Sequence, residues 1–350
     1  MTRNLAYAAA TLLVAATLPA AARAQDLTGA GSSFAYPIYT KWADMYAQKT
    51  GVKINYQSIG SSGGIKQLSE EIVDFGASDG PMTDEQIAQA KGGPILHFPT
   101  VLGGVSITYN LPEVKQPLRL TGAALADIYL GKITKWNAPE IAALNAGVRL
   151  PDRDVVVVHR TDGSGTTYIF TDYLSSVSSA WASGPGKAQA INWPVGLGGK
   201  GSDGVTGQVK QTPGAIGYVE LSYAKHNALP SALIRNAAGA WVAPTLESVT
   251  AAAAGAVAKL PASSDYRISI VNPAGRDAYP ISSFTWMLVY QHQKDAAKGK
   301  KLVDFLRWAY VDGEKVARSL DYAPLPASMA RKLVARLSQI STGVAEAGGR

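Results

Sequence analysis

Four consecutive valines, Val155 to Val158, run directly into His159-Arg160-Thr161-Asp162-Gly163-Ser164-Gly165-Thr166 and then Tyr168-Ile169-Phe170. An unbroken β-branched run suits a strand buried on both faces, the situation of a parallel sheet covered by helices. Gly163 and Gly165 let the backbone turn tightly around Ser164 before a helix begins near Thr166. The chain is therefore expected to be α/β, with Arg160 just past the carboxyl end of that strand, the edge where open α/β sheets hold ligands. A helix start exposes unpaired N–H groups and a partial positive charge. With a guanidinium and two hydroxyls beside it, the guest it suits is a small oxyanion. The same residues also fit a plainer use, in which Ser164 caps the helix and Arg160 only pairs with Asp162.

The strand, Gly/Ser loop, helix pattern recurs. Leu27-Thr28-Gly29-Ala30-Gly31-Ser32-Ser33-Phe34 precedes Tyr36, Ile38, Tyr39, Trp42, Met45 and Tyr46, an apolar stripe at helical spacing that reads as core. Gly29-x-Gly31-x-x-Phe34 fails as a dinucleotide fingerprint because its third position is Phe. Val52 to Tyr56 alternates as a strand, and Ser58-Ile59-Gly60-Ser61-Ser62-Gly63-Gly64 leads into a helix through Leu68. Val73 to Asp79 is a further short strand ending in an acid ahead of a turn at Pro81. Asp79 fits a turn cap, yet an acid beside anion-favouring loops is odd for a plain anion site. Trp193-Pro194-Val195-Gly196-Leu197-Gly198-Gly199-Lys200-Gly201-Ser202 looks like a phosphate loop and fails as one. Pro194 takes the first Gly position, and Gly201 follows the lysine where Ser or Thr is required.

Two strand-like stretches, Ile95 to Thr108 with Gly103-Gly104 inside it and Phe284 to Tyr290, are expected to cross between two lobes. Residues 25–104 plus 283–350 then form the first lobe and residues 105–282 the second, with crossings near 101–108 and 281–290. Helices are expected over Leu120 to Ile133 and from Ala296 to Ser338, broken at Gly313 and at Pro324 to Pro326.

Met1 to Ala24 combines an early Arg3, an alanine- and leucine-rich stretch, and Ala22-Arg23-Ala24, the pattern of a cleavable secretory signal. Its removal takes Lys plus Arg from 33 to 31 against 26 acids, lowering the net charge from +7 to +5. The cations are scattered without runs, so the charge points to a solvated surface and not to a nucleic-acid footprint. There is no cysteine. Disulfides, thiolate metal sites and a cysteine-linked lipid anchor are thereby excluded, and a free periplasmic protein of about two domains is expected.

Taken together, Gly60-Ser61-Ser62-Gly63-Gly64, Asp74 to Asp79, Arg160 to Thr166, Trp193 to Gly201 and Pro213-Gly214-Ala215-Ile216-Gly217-Tyr218 resemble the periplasmic phosphate-binding proteins of high-affinity phosphate ABC transporters. The resemblance spans the chain from Leu27 to Ala323. It implies a two-lobed periplasmic binding protein of type II-like fold, with two α/β domains joined by hinge strands around a ligand cleft. It puts phosphate contacts on Ser32, Ser33, Phe34, Ser61, Asp79, Arg160, Ser164, Gly165 and Thr166, with Asp162 bracing the arginine. It further implies delivery to a membrane permease driven by a separate ATPase subunit, a monomer, and no cofactor or metal. Two other readings are a binding protein for sulfate or another oxyanion, from which only Asp79 separates this chain, and a phosphate-ester hydrolase with Ser164 as nucleophile. The hydrolase needs a base, and His97, His159, His226 and His292 are isolated in the sequence.

Overall fold

The computed structural model describes residues 27–257, 260 and 265–343. The secretory signal read over residues 1–24 lies outside them. Among the described residues no helix is long and apolar enough to cross a membrane.

The strands in chain order are β1 (Leu27–Gly31), β2 (Ile54–Ser58), β3 (Phe75–Ser78), β4 (Ile95–Tyr109), β5 (Arg119–Leu120), β6 (Val156–Arg160), β7 (Leu197–Gly199), β8 (Ala215–Glu220), β9 (Leu233–Arg235), β10 (Trp241–Val242) and β11 (Ser282–Tyr290). A continuous sheet has the order β2-β1-β3-β11-β4-β8-β6-β7, and β10-β9-β5 form a small separate one. Strands β1, β2 and β3 are mutually parallel, as are β6, β7 and β8. The antiparallel β4 and β11 stand between these groups.

β4 is what joins the halves. All 15 of its residues are buried. Its partner changes midway, from β11 at Ile95 to Gly104 to β8 at Val105 to Tyr109. β4 is thus paired with one strand at each level, first β11 and then β8, and is buried throughout, its polar His97, Thr100, Ser106 and Thr108 included. β11 begins opposite Gly104, at Ser282, so both connections between the halves lie at the same level of the sheet.

Most of the helical stripe on Tyr36–Thr50 is core: Ile38, Tyr39, Trp42 and Tyr46 are buried, with Tyr39 edge-on to Tyr56 at 5.2 Å and Tyr46 against Phe305 at 5.2 Å, whereas Tyr36 is exposed and Met45 half-buried. Some boundaries differ from those the sequence implies. Arg160 is the last residue of β6 and not a loop residue beyond it. The helix expected over Leu120 to Ile133 occupies only Gly122–Tyr129, because Thr121 caps its start, accepting from the Ala124 N–H, and Arg119–Leu120 is claimed by β9. The C-terminal region holds the helices Ala296–Val311 and Ala327–Arg336 with two short 3-10 turns between them, Asp321 ending the second in a left-handed conformation.

Candidate functional site

The loops that leave the carboxyl ends of β1, β2, β3, β6 and β7 converge at the junction of the two halves, the place where open α/β sheets present their sites. From the first half come Ser32 and Ser33 after β1, Ser61 at the first position of the helix Ser61–Ser69, and Asp79 after β3. From the second come Arg160, Asp162, and Ser164-Gly165-Thr166 at the start of the helix Gly165–Val177. The helix Gly201–Gln211 also opens here, placing Ser202 beside Arg160. Three helix N-termini therefore point at one spot, each with unpaired N–H donors and a partial positive charge.

Asp79 is 1% exposed. Its Oδ1 accepts from the Ser32 hydroxyl at 2.6 Å and the Thr285 hydroxyl at 2.7 Å. Its Oδ2 has one long bond, 3.4 Å from the Ser61 hydroxyl, and lies so near Gly165 that a Cβ there would sit 2.5 Å from it. One oxygen is thus anchored, while the other faces the start of the opposite helix. Burial pushes the Asp79 carboxyl up to about 6, against the opposing pull of Ser32, Thr285, the Arg160 charge and Ser61. The carboxylate accepts no turn N–H, so Asp79 is not a turn cap. The following short helix is capped by Thr83 instead.

The Arg160 guanidinium binds Asp162 through Nε at 2.7 Å and through Nη2, leaving Nη1 to face the Thr166 and Ser202 hydroxyls, each at 3.5 Å. Burial works against the Asp162 charge, but Arg160 and the Gly201 N–H, at 3.0 Å, outweigh it and hold this carboxyl below the usual range. Beneath them the Tyr218 hydroxyl accepts from the Arg160 N–H at 3.1 Å and meets the Thr167 hydroxyl at 2.7 Å. Ser164 does cap its helix, its Oγ accepting from the Thr167 N–H at 3.1 Å, which leaves the hydroxyl proton free to point elsewhere. Both halves of the plainer reading, cap and ion pair, are therefore real, and they coexist with the convergence. Phe34 turns its ring into the core, where a Cβ on Gly103 would lie 2.3 Å away, so only its main chain can face the site.

The two sides are in contact. The Ser33 hydroxyl lies 3.0 Å from that of Ser202, the Ser62 N–H donates to the Gly163 carbonyl at 3.0 Å, and the Tyr223 hydroxyl donates to the Ser33 carbonyl at 2.8 Å. Gly60 permits this approach: at φ 82° it presses against Asp162 and Gly163, and a Cβ there would lie 2.5 Å from the Asp162 carboxylate.

Two participants escaped the sequence reading, Ser202 and Thr285. Ser202 follows β7 and a glycine, a further instance of the recurring pattern, and stands just past the Trp193 to Gly201 stretch that carries the family resemblance. Thr285 stands in the all-buried β11, where a hydroxyl amid apolar residues is itself a signal of a polar partner. The histidines lie elsewhere. His97 bonds Asp265 through Nδ1 at 2.9 Å, His159 stacks on Trp193 at 4.9 Å, and His292 meets Ser341 at 2.8 Å.

Residues 16–312 match the model of a PBP superfamily domain. A "Phosphate-binding protein PstS" of Pasteurella multocida is 46% identical over 90% of this chain and 90% of its own. One of Haemophilus influenzae is 44% identical over 91% of this chain and 94% of its own. Solved structures share the fold: a phosphate binding protein from Stenotrophomonas maltophilia, TM-score 0.67, 21% identical over 89% of this chain and 94% of its own, has it. So does a putative phosphate ABC transporter substrate-binding protein with bound phosphate from Clostridium perfringens, TM-score 0.61, 21% identical over 86% of this chain and 100% of its own. The chain has their two-lobed fold, and it belongs to the PBP superfamily and, within it, to the family of these phosphate-binding proteins.

Proposed function

We propose that this protein binds inorganic phosphate in the periplasm and delivers it to a membrane permease driven by a separate ATPase subunit. In this reading the lobes are residues 25–104 with 283–350 and residues 105–282, and they hinge where β4 changes partner. The ligand sits between Ser33, the Phe34 main chain and Ser61 on one side and Arg160, Ser164, Gly165 and Thr166 on the other. Ser32 serves it through Asp79, since its hydroxyl is taken up by that carboxylate and by the Ala35 N–H. Asp162 holds Arg160 in place.

Phosphate taken from water must have its hydration replaced by charge-assisted hydrogen bonds, each worth roughly 1.5 to 3 kcal/mol net. Helix N-termini, hydroxyls and the Nη1 edge of Arg160 supply donors for that. They would serve sulfate equally well. The observation that selects phosphate is the buried Asp79 with Oδ2 turned toward Gly165. Near neutral pH phosphate keeps at least one proton and can donate it to this oxygen, whereas sulfate has none to give.

Calorimetric titration of ligand-free protein with phosphate, arsenate, sulfate and p-nitrophenyl phosphate tests the reading. Stoichiometric binding of phosphate and arsenate is expected, with weak sulfate binding and no release of nitrophenol. Phosphate and sulfate binding alike would refute the selectivity, and turnover lost in Ser164→Ala would replace binding with hydrolysis.

A further inference from the structure

Ser202 lies outside the set of residues that the family resemblance assigns to the ligand, yet it occupies the site. It is 1% exposed, at the second position of the helix Gly201–Gln211, whose first N–H is held by Asp162. Its Oγ stands 3.5 Å from Arg160 Nη1 on its own lobe and 3.0 Å from the Ser33 Oγ on the other. The guanidinium can only donate. A Ser202 hydroxyl that faces it as an acceptor has its proton left for Ser33, and Ser33, once it accepts, must turn its own proton away. That leaves the Ser33 proton for a group held between the lobes, beside the Ser202 and Arg160 pair.

We propose that Ser202 is a positioning residue that, once the lobes meet, orients the Ser33 hydroxyl as a donor to the bound anion, so that closure and completion of this donor are one event. This rests on the reading that the site takes phosphate. Hydroxyl rotors in water are free, so in an open cleft Ser33 would share its proton with solvent. Closure against Ser202 fixes the rotor and removes that competition. The cost of losing Ser202 should therefore appear as faster release of phosphate and not as slower capture.

The test is a double-mutant cycle read by stopped-flow and calorimetry with inorganic phosphate. Ser202→Ala should raise the phosphate Kd by about 5- to 10-fold, the equivalent of one ordinary net hydrogen bond, with the change in the dissociation rate. In a Ser33→Ala background the same substitution should change Kd by less than about 2-fold, because the group it positions is gone. Ser202→Gly removes the hydroxyl a second way and guards against a packing artefact of the first variant. An equal loss in both backgrounds would mean that Ser202 acts on the anion or the fold directly, and no loss in either would mean that it does nothing; each overturns the proposal. If the wild-type protein itself fails to bind phosphate, the functional reading falls first, a result distinct from wild-type binding that Ser202→Ala leaves unchanged.

Discussion

Replacing Asp79 with Asn is the sharpest perturbation, because the surroundings dictate how the amide must sit. Ser32 and Thr285 both donate to Oδ1, so the Asn carbonyl is held there and the NH2 group takes the Oδ2 position facing Gly165. Ser61, which already accepts from the Asp79 N–H at 3.2 Å, can accept from the amide as well. The variant therefore presents a donor where the wild type presents a negative acceptor. At a separation of about 3 Å and an effective dielectric of about 20, a carboxylate and a unit negative charge repel by about 5 kcal/mol. Half of that corresponds to roughly 70-fold in relative affinity. Asp79→Asn should thus keep phosphate binding and lower the phosphate-to-sulfate affinity ratio by about two orders of magnitude, measured by competition calorimetry at one ionic strength.

The pH dependence follows from the same carboxyl. With Asp79 raised to about 6, protonation below that value turns it into a donor and removes the repulsion, so wild-type discrimination against sulfate should fade as pH falls through about 6. In the variant it should stay flat. For the closed form, in which Asp79 is buried, the sign is set by a native state that keeps a proton the unfolded chain releases. Stability should fall as pH rises from 3.8 to about 6, by about 3 kcal/mol in all, and Asp79→Asn should lack that slope. An affinity ratio that is the same in both proteins would refute the whole argument.

Two further outcomes are expected. Gly165→Ala places a Cβ 2.4 Å from the Ser61 hydroxyl and 2.5 Å from Asp79 Oδ2, so the lobes should not close fully. Phosphate affinity should drop at least about 100-fold while the ligand-free melting temperature holds or rises, since Ala favours the helix; unchanged affinity, or unchanged compaction in small-angle scattering, would contradict a closing cleft. Glu220 is fully buried beside Gly103 at the end of β8, with Oε2 accepting from the Ser222 N–H at 2.6 Å, and burial first of all raises its carboxyl well above the ordinary value. The native state then holds a proton that the unfolded chain loses above pH 4.5, so stability should fall as pH rises beyond that point, and thermal melts of Glu220→Gln should lack this component.

How much of this was legible in the sequence depends on the range of the interaction. The valine run, the Gly/Ser loops and the helical stripe of Tyr36–Thr50 are local patterns, and each produced the element it implied. Ser164 as a cap and Arg160 with Asp162 were also readable, because the partners lie within three residues of each other. The support of Asp79 was not. Its anchors Ser32 and Thr285 stand 47 and 206 residues away in the chain, and only sheet order brings β1, β3 and β11 side by side. Ser202 was hidden by a template: as a nucleotide loop the stretch is defective, whereas as a strand, a glycine and a serine opening a helix it repeats what β2 and β6 do. The assignment of 120 to 133 to one helix failed because a two-residue strand leaves no periodicity to detect.

The charges at the site lead to a last expectation. Among the described residues, Arg160 is the one cation in the group of side chains gathered there, and Asp162 takes its Nε and Nη2 edges. With Asp79 added, the ionised side chains number two acids against one base, so the site is negative before any anion arrives. Coulomb attraction by net charge cannot be what binds a phosphate here. What remains are the N–H groups of the helices beginning at Ser61, Gly165 and Gly201, together with fixed hydroxyls, all short-range and buried from the ionic atmosphere. Such contacts are little screened. Although the whole chain carries a formal +7, phosphate affinity should change by less than about 3-fold between about 10 mM and about 500 mM sodium chloride. Titrations across that range decide the matter: a fall of tenfold or more with salt would show that the scattered surface cations, and not the converging helix starts, hold the anion.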